Sequence, residues 1–145
     1  MTEYLTLDDV RGLHADVMER TGFLPAPLRD QGALESAITR PRMAAHYEEA
    51  DLAPQAVMLM LAISQAQAFV DGNKRTAMYA GLVFLELNGT TFDGDDELLA
   101  VLIEEAPSRP QDEARAALVA WLRPHIMAAQ GEPALSDPTP PSTRG

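Results

Sequence analysis

The chain has 145 residues, of which 11 are basic and 22 acidic, giving a net charge of −11 and a length that suits one domain with a substantial core. That acidic balance argues against non-specific nucleic-acid binding and against attraction to anionic membranes, both of which need a positive surface. There is no cysteine, so disulfides, thiolate catalysis and cysteine-based zinc sites are excluded.

In chain order, Met1–Asp9 has neither the basic start nor the apolar stretch of a secretory signal. Thr6 followed three residues later by Asp9 forms a capping-box pattern, and Leu7, Val10, Leu13, Val17 and Met18 recur at helical spacing. A first helix is predicted from there to about Thr21, with Gly22 as its stop. Phe23–Arg29, containing Pro25 and Pro27, reads as a loop. Asp30 suits the N-cap of a short helix carrying Leu34, Ala37 and Ile38, which is expected to end before Pro41. Met43–Leu52 fits either a helical turn or an ordered loop.

Pro54 suits the first turn of a helix reaching about Phe69. It is apolar nearly all the way round and is expected to be buried on every side. Its longest apolar run, Ala56–Ile63, stops at Ser64 and Gln65, far short of the ~20 residues of a membrane span. Val70-Asp71-Gly72 breaks it, and a second apolar helix runs from about Asn73 to Leu87, closed by Asn88-Gly89. Thr90–Phe92 suits a brief extended segment. Asp95 and Asp96 lead into a helix with Leu98, Leu99, Val101, Leu102 and Ile103, stopped by Pro107. Pro110 opens a last helix with Leu118, Trp121 and Ile126, which Pro124 kinks or shortens. Residues 1–130 therefore read as one all-α domain, a compact helical bundle around a buried helical hairpin. Residues 131–145, rich in proline with little to bury, read as a disordered tail. The whole reads as a soluble cytoplasmic protein.

The chemistry concentrates in Gln67–Arg75, the connection between the two apolar helices. A loop entering a helix N-terminus presents free N–H groups and the positive end of the helix dipole, which together suit an anion. Gly72 adopts positive φ at no steric cost, and Asn73 suits a cap. Lys74 and Arg75 occupy the first turn, where the dipole disfavours cations by roughly 0.3–1 kcal/mol each. Two cations there make sense if an anion is held. Lys74 is also the only lysine beside ten arginines, a compact point charge suited to phosphate. Asp71 beside it is a hard oxygen donor for Mg²⁺ bridging phosphate oxygens. A solvated helix end at Lys74-Arg75 and a simple turn at Asp71-Gly72 are the plain alternatives. His14 reads as a packed histidine, His46 and His125 show no partner pattern, and Met58 and Met60 read as core.

As a whole, Phe69-Val70-Asp71-Gly72-Asn73-Lys74-Arg75 resembles the Doc-type form of the Fic motif, His-x-Phe-x-(Asp or Asn)-(Ala or Gly)-Asn-Lys-Arg. Tyr4-Leu5-Thr6, Leu28-Arg29-Asp30, Leu34–Ile38 and Arg40-Pro41 resemble other segments of the family, so the likeness covers roughly Tyr4 to Trp121. The resemblance implies a helical scaffold that binds nucleotide phosphates. Lysine in place of the glycine of AMP-transferring Fic enzymes, here Lys74, implies transfer of the γ-phosphate of ATP, with Mg²⁺, to a protein such as elongation factor Tu. It also implies a toxin neutralised by an antitoxin in trans, in keeping with the absence of a Ser/Thr-x-x-x-Glu-Gly/Asn inhibitory motif. Carried over residue by residue, the catalytic positions are Gln67, Asp71 and Lys74. Asp71 serves the metal and the target hydroxyl, while Gly72, Asn73, Lys74 and Arg75 hold phosphate.

The family's histidine position holds Gln67. A glutamine amide does not titrate and cannot take the hydroxyl proton, and loss of a general base commonly costs about 10²–10⁴-fold in rate. Three readings stand on the sequence: an impaired Doc-like kinase, an inert pseudoenzyme that binds nucleotide or antitoxin, and a structural helical domain.

Overall fold

The structure is a computed structural model and describes residues 1–22, 24 and 27–129. The predicted tail, residues 131–145, lies outside the described residues, as does part of the loop after Gly22.

The capping box forms as its pattern dictates. Thr6 Oγ1 accepts from the Asp9 amide at 3.1 Å, Asp9 Oδ2 accepts from the Thr6 amide at 2.9 Å, and α1 runs Leu7–Arg20. It buries Val10, His14, Val17 and Met18.

Asp30 caps α2 through the Ala33 amide at 3.0 Å. The helix does not stop before Pro41: α2 spans Gln31–Glu48 with Pro41 buried inside it. Interior proline costs about 3 kcal/mol in a helix. Here Leu34, Ala37, Pro41 and Ala44 form one buried stripe, and burying a leucine such as Leu34 alone returns roughly 1.5–3 kcal/mol. The ambiguous Met43–Leu52 stretch thus begins as the last turns of α2, and Glu49 ends them in the left-handed region at φ 56°.

Next, α3 (Leu52–Ala66) packs between α2 and α4 (Asn73–Leu87), and α1 packs on α4. The expected end of α3 at Phe69 is three residues too late, because Gln67 turns left-handed at φ 51°. Nor is α3 buried on every side. Met58, Ala62 and Gln65 line an open groove of about 580 Å³ shared with α2 and α6 (Gln111–Leu122). Between α3 and α4 the core is dense, with Leu59, Met60, Ile63, Met78, Phe84 and Leu85 all essentially inaccessible. A Cβ added at Gly81 would lie 2.3 Å from Met60 Cε, so Gly81 permits the close approach of the two helices.

The expected extended segment at Thr90–Phe92 is β1, paired antiparallel with β2 (Ile126–Ala128), Thr90 opposite Ala128 and Phe92 opposite Ile126. Ile126 was expected on the last helix. Instead α6 ends at Leu122, Pro124 sets a 3₁₀ turn at Arg123–His125, and Ile126 supplies the partner strand. Pro110 is the N-cap of α6, so the helix starts one residue later than predicted. Between β1 and α6, α5 (Asp96–Glu105) is capped by Asp95. The fold is all-α apart from the two short strands, and among the described residues no helix is long and apolar enough to cross a membrane.

Truncating Phe84, a fully buried side chain near the end of α4 that stacks on Tyr4, to alanine is expected to destabilise the fold by about 3–5 kcal/mol. A urea titration followed by circular dichroism checks this.

Candidate functional site

The loop between α3 and α4 is built from main-chain bonds. Gln67 ends α3, with its Nε2 donating to the Ser64 carbonyl at 2.7 Å and its own carbonyl accepting from an Arg29 guanidinium nitrogen at 2.8 Å. The Ala68 carbonyl accepts from the amides of Arg29 and Asp30, and the Val70 amide donates to the Pro27 carbonyl at 3.1 Å. Residues 27–30 thus brace the loop as a one-residue antiparallel bridge at Leu28 and Phe69.

Phe69 is anchored twice. Its side chain is 2% exposed and lies face to face with His14, ring centroids 3.7 Å apart and planes 7° apart. Its backbone is gripped by Asn73: Nδ2 donates to the Phe69 carbonyl at 2.8 Å, and Oδ1 accepts from the Phe69 amide at 3.0 Å. This is where Asn73 departs from its sequence-based reading. Its side chain is buried and engaged on both ends, so it shapes the loop from inside and does not face outward as a cap or as a phosphate-directed side chain. The N-cap is Gly72, at φ +83°. A Cβ there would stand 2.9 Å from Met18 Sδ and 3.3 Å from the His14 ring, so both the backbone conformation and the space favour glycine.

The outward face follows from this inner scaffold. The Gly72 carbonyl accepts from the Thr76 amide at 3.1 Å, and the amides of Asn73, Lys74 and Arg75 are first-turn groups without partners in the helix. Asp71 is exposed. Its Oδ1 accepts from the Gly72 amide at 2.8 Å, and its Oδ2 has no hydrogen-bond partner among the described residues. Lys74 Nζ pairs with Glu104 at 3.3 Å and Arg75 with Glu97 at 3.5 Å, both carboxylates coming from α5. These pairs are about half exposed, so each contributes only about 0–1 kcal/mol.

The structure therefore places Asp71 and Gly72 in the turn before α4 and Lys74 and Arg75 in its first turn, turns Asn73 inward, and ties the Gln67 amide to Ser64. The sequence reading missed the α5 carboxylates, although Glu97 and Glu104 stand seven residues apart and so share a helix face. It also missed the link from His14, packed as expected, to this loop. Among the described residues no three His, Asp or Glu side chains converge as a metal-holding group. A divalent cation here would have one carboxylate, Asp71, and would complete its shell from phosphate and water, the usual arrangement for Mg²⁺.

An all-α fold in which a braced loop joins two packed apolar helices is consistent with the Fic/Doc type. The chain belongs to the Fic/DOC family, whose sequence model matches residues 4–85. It is 36% identical over 116 residues to a protein named Toxin Doc from Mycolicibacterium smegmatis, covering 77% of this chain and 86% of that one. It is also 31% identical over 104 residues to Protein kinase doc of Escherichia phage P1, covering 71% of this chain and 82% of that one. These likenesses place it on the Doc side of the family.

Two outcomes follow from the geometry. Asn73→Ala leaves the buried amide and carbonyl of Phe69 unpaired, at about 1–3 kcal/mol for each group, and a loss of that size is expected in chemical denaturation. The double variant Glu97→Gln/Glu104→Gln frees both cations. It is expected to bind inorganic pyrophosphate about threefold to tenfold more tightly at low salt, with the gain shrinking at high salt; calorimetric titration measures both.

Proposed function

We propose that this chain is a Doc-type toxin whose α3–α4 loop binds Mg-ATP and directs the γ-phosphate to a protein hydroxyl, with elongation factor Tu as the model target. The observation that carries this reading is the pair Lys74 and Arg75 on a positive helix end behind a glycine N-cap. The relative named Protein kinase doc supports it. An antitoxin acting in trans and a cytoplasmic setting belong to the same reading.

Mg²⁺ would be held by the Asp71 carboxylate and would supply neutralising charge to the phosphates. The other roles fall to the chain's own groups. Amides of the first α4 turn and the side chains of Lys74 and Arg75 hold the phosphates and offset the charge that builds on the leaving oxygen. Asp71 Oδ2 serves the metal and the region of the incoming hydroxyl. In the transfer an oxygen–phosphorus bond forms at the target hydroxyl, the bond to the β-phosphate oxygen breaks, ADP leaves, and the hydroxyl proton needs an acceptor.

Gln67 is where the proton would go in a histidine enzyme. Its Nε2 is held by the Ser64 carbonyl, which leaves Oε1 able to accept a hydrogen bond from a hydroxyl and so align it. An amide oxygen does not carry the proton away at neutral pH. Phosphate binding is thereby separated from turnover. The same residue supports the second reading, an inert pseudoenzyme that binds nucleotide or antitoxin without chemistry.

Titrating Mg-ATP into the unchanged chain, Lys74→Ala and Gln67→His, with phosphorylation of elongation factor Tu followed in parallel, tests both readings. Binding is expected in the unchanged chain and to weaken at least tenfold in Lys74→Ala. Transfer is expected to rise about 10²–10⁴-fold with histidine at position 67. Binding without transfer in either form favours the pseudoenzyme, and no binding in any form ends the phosphate-site reading.

A further inference from the structure

Among the described residues, His14 is the one α1 side chain that hydrogen-bonds the motif loop. Its Nε2 lies 2.8 Å from the Asp71 carbonyl. A carbonyl only accepts, so Nε2 carries the hydrogen and donates it. The ring is 3% exposed and stacks flat on Phe69, the residue that Asn73 grips from the opposite end of the loop. One turn further along α1, Met18 approaches the Gly72 Cα, where an added Cβ would lie 2.9 Å from its sulfur. Besides the brace from residues 27–30, the loop is thus held at two further points by different elements: at Phe69 by Asn73 of α4, and at Asp71 by His14 of α1. The second point adjoins the peptide that precedes the helix N-terminus.

We propose that His14 is a positioning residue of the phosphate site. By donating to the Asp71 carbonyl it sets the orientation of the Asp71–Gly72 peptide. That peptide decides where the Asp71 carboxylate projects and how the first-turn amides of α4 are aimed. A packed histidine without this task would need only its ring; here the ring and the nitrogen have separable functions, the ring seating Phe69 and the nitrogen orienting Asp71. A carbonyl left without its donor turns toward solvent or another amide, and the peptide rotates with it.

The proposal rests on the phosphate-site reading, and two variants with two readouts keep the two separable. His14→Phe keeps a flat ring on Phe69 and removes the donor. His14→Gln removes the ring and restores an Nε2 donor at similar reach. Loss of one hydrogen bond of ordinary strength corresponds to about tenfold in an equilibrium. His14→Phe is therefore expected to bind Mg-ATP about tenfold more weakly while staying folded by circular dichroism, and His14→Gln to recover binding to within about threefold of the unchanged chain. In nuclear magnetic resonance, the Gly72 amide signal is expected to move in His14→Phe and return toward its place in His14→Gln. The His14 ring of the unchanged chain should show hydrogen on Nε2.

Unchanged Mg-ATP affinity in His14→Phe overturns the proposal, as does a folded His14→Gln that fails to recover affinity, or a ring carrying its only hydrogen on Nδ1. Should His14→Gln not fold, the phenylalanine variant decides alone. If the unchanged chain does not bind Mg-ATP, the phosphate-site reading falls first. The Gly72 signal then judges His14: an unmoved amide in His14→Phe removes its hold on the loop as well.

Discussion

The grip of Asn73 on the Phe69 backbone is the constraint on which the rest depends. Two apolar helices, α3 and α4, must reverse direction through residues 67–72 while staying packed on each other, and every backbone group drawn into that turn needs a partner. A buried side-chain amide that offers one donor and one acceptor to the same residue meets this need without water. It lets Phe69 enter the core as an anchor although it lies outside either helix. Gln67 and Gly72, both at positive φ, are the two corners of the reversal. The outward rim is the remainder, made of whatever the inner bonds leave unsatisfied. First-turn amides, one oxygen of Asp71 and two cationic side chains remain.

Electrostatics then explains why a basic rim persists on a chain of net charge −11. Lys74 and Arg75 stand where the helix dipole opposes them, and α5 brings Glu104 and Glu97 close enough to balance them. The carboxylates sit on long exposed side chains, so holding them in place costs side-chain entropy and water screens the attraction. A multiply charged phosphate would meet the same cations and also the preoriented amides, which a glutamate on α5 does not engage. On the proposed reading, that difference favours exchange of the carboxylates for phosphate.

Legibility along the chain tracked the range of the interactions involved. The Thr6–Asp9 box, the Asp30 cap and the Asn88-Gly89 close are bonds between residues a few positions apart, and each was readable from residue type and spacing. Pro41 was misread because local propensity opposes a proline inside a helix, whereas a buried stripe running from Leu34 to Ala44 favours continuation. Ile126 was misread for the converse reason. Its spacing suits a helix, but its partner is β1, more than thirty residues earlier in the chain. The α3 terminus was set too late because the competitor for Phe69 was the side chain of Asn73, and a cap was the more obvious use for an asparagine at that position.

For the site the division is similar. Residue types in the run from Gln67 to Arg75 were enough to determine that a helix start follows a glycine turn, that a lysine and an arginine lie in its first turn, and that no histidine stands at position 67. These are properties of adjacent residues and of helix termini in general. Only the tertiary structure decided that Asn73 faces inward, that His14 reaches the Asp71 carbonyl across 57 positions of sequence, and that α5 supplies the counter-charges. Each of those depends on which helix faces touch, and periodicity marks the face that a helix buries but not the distant segment that covers it.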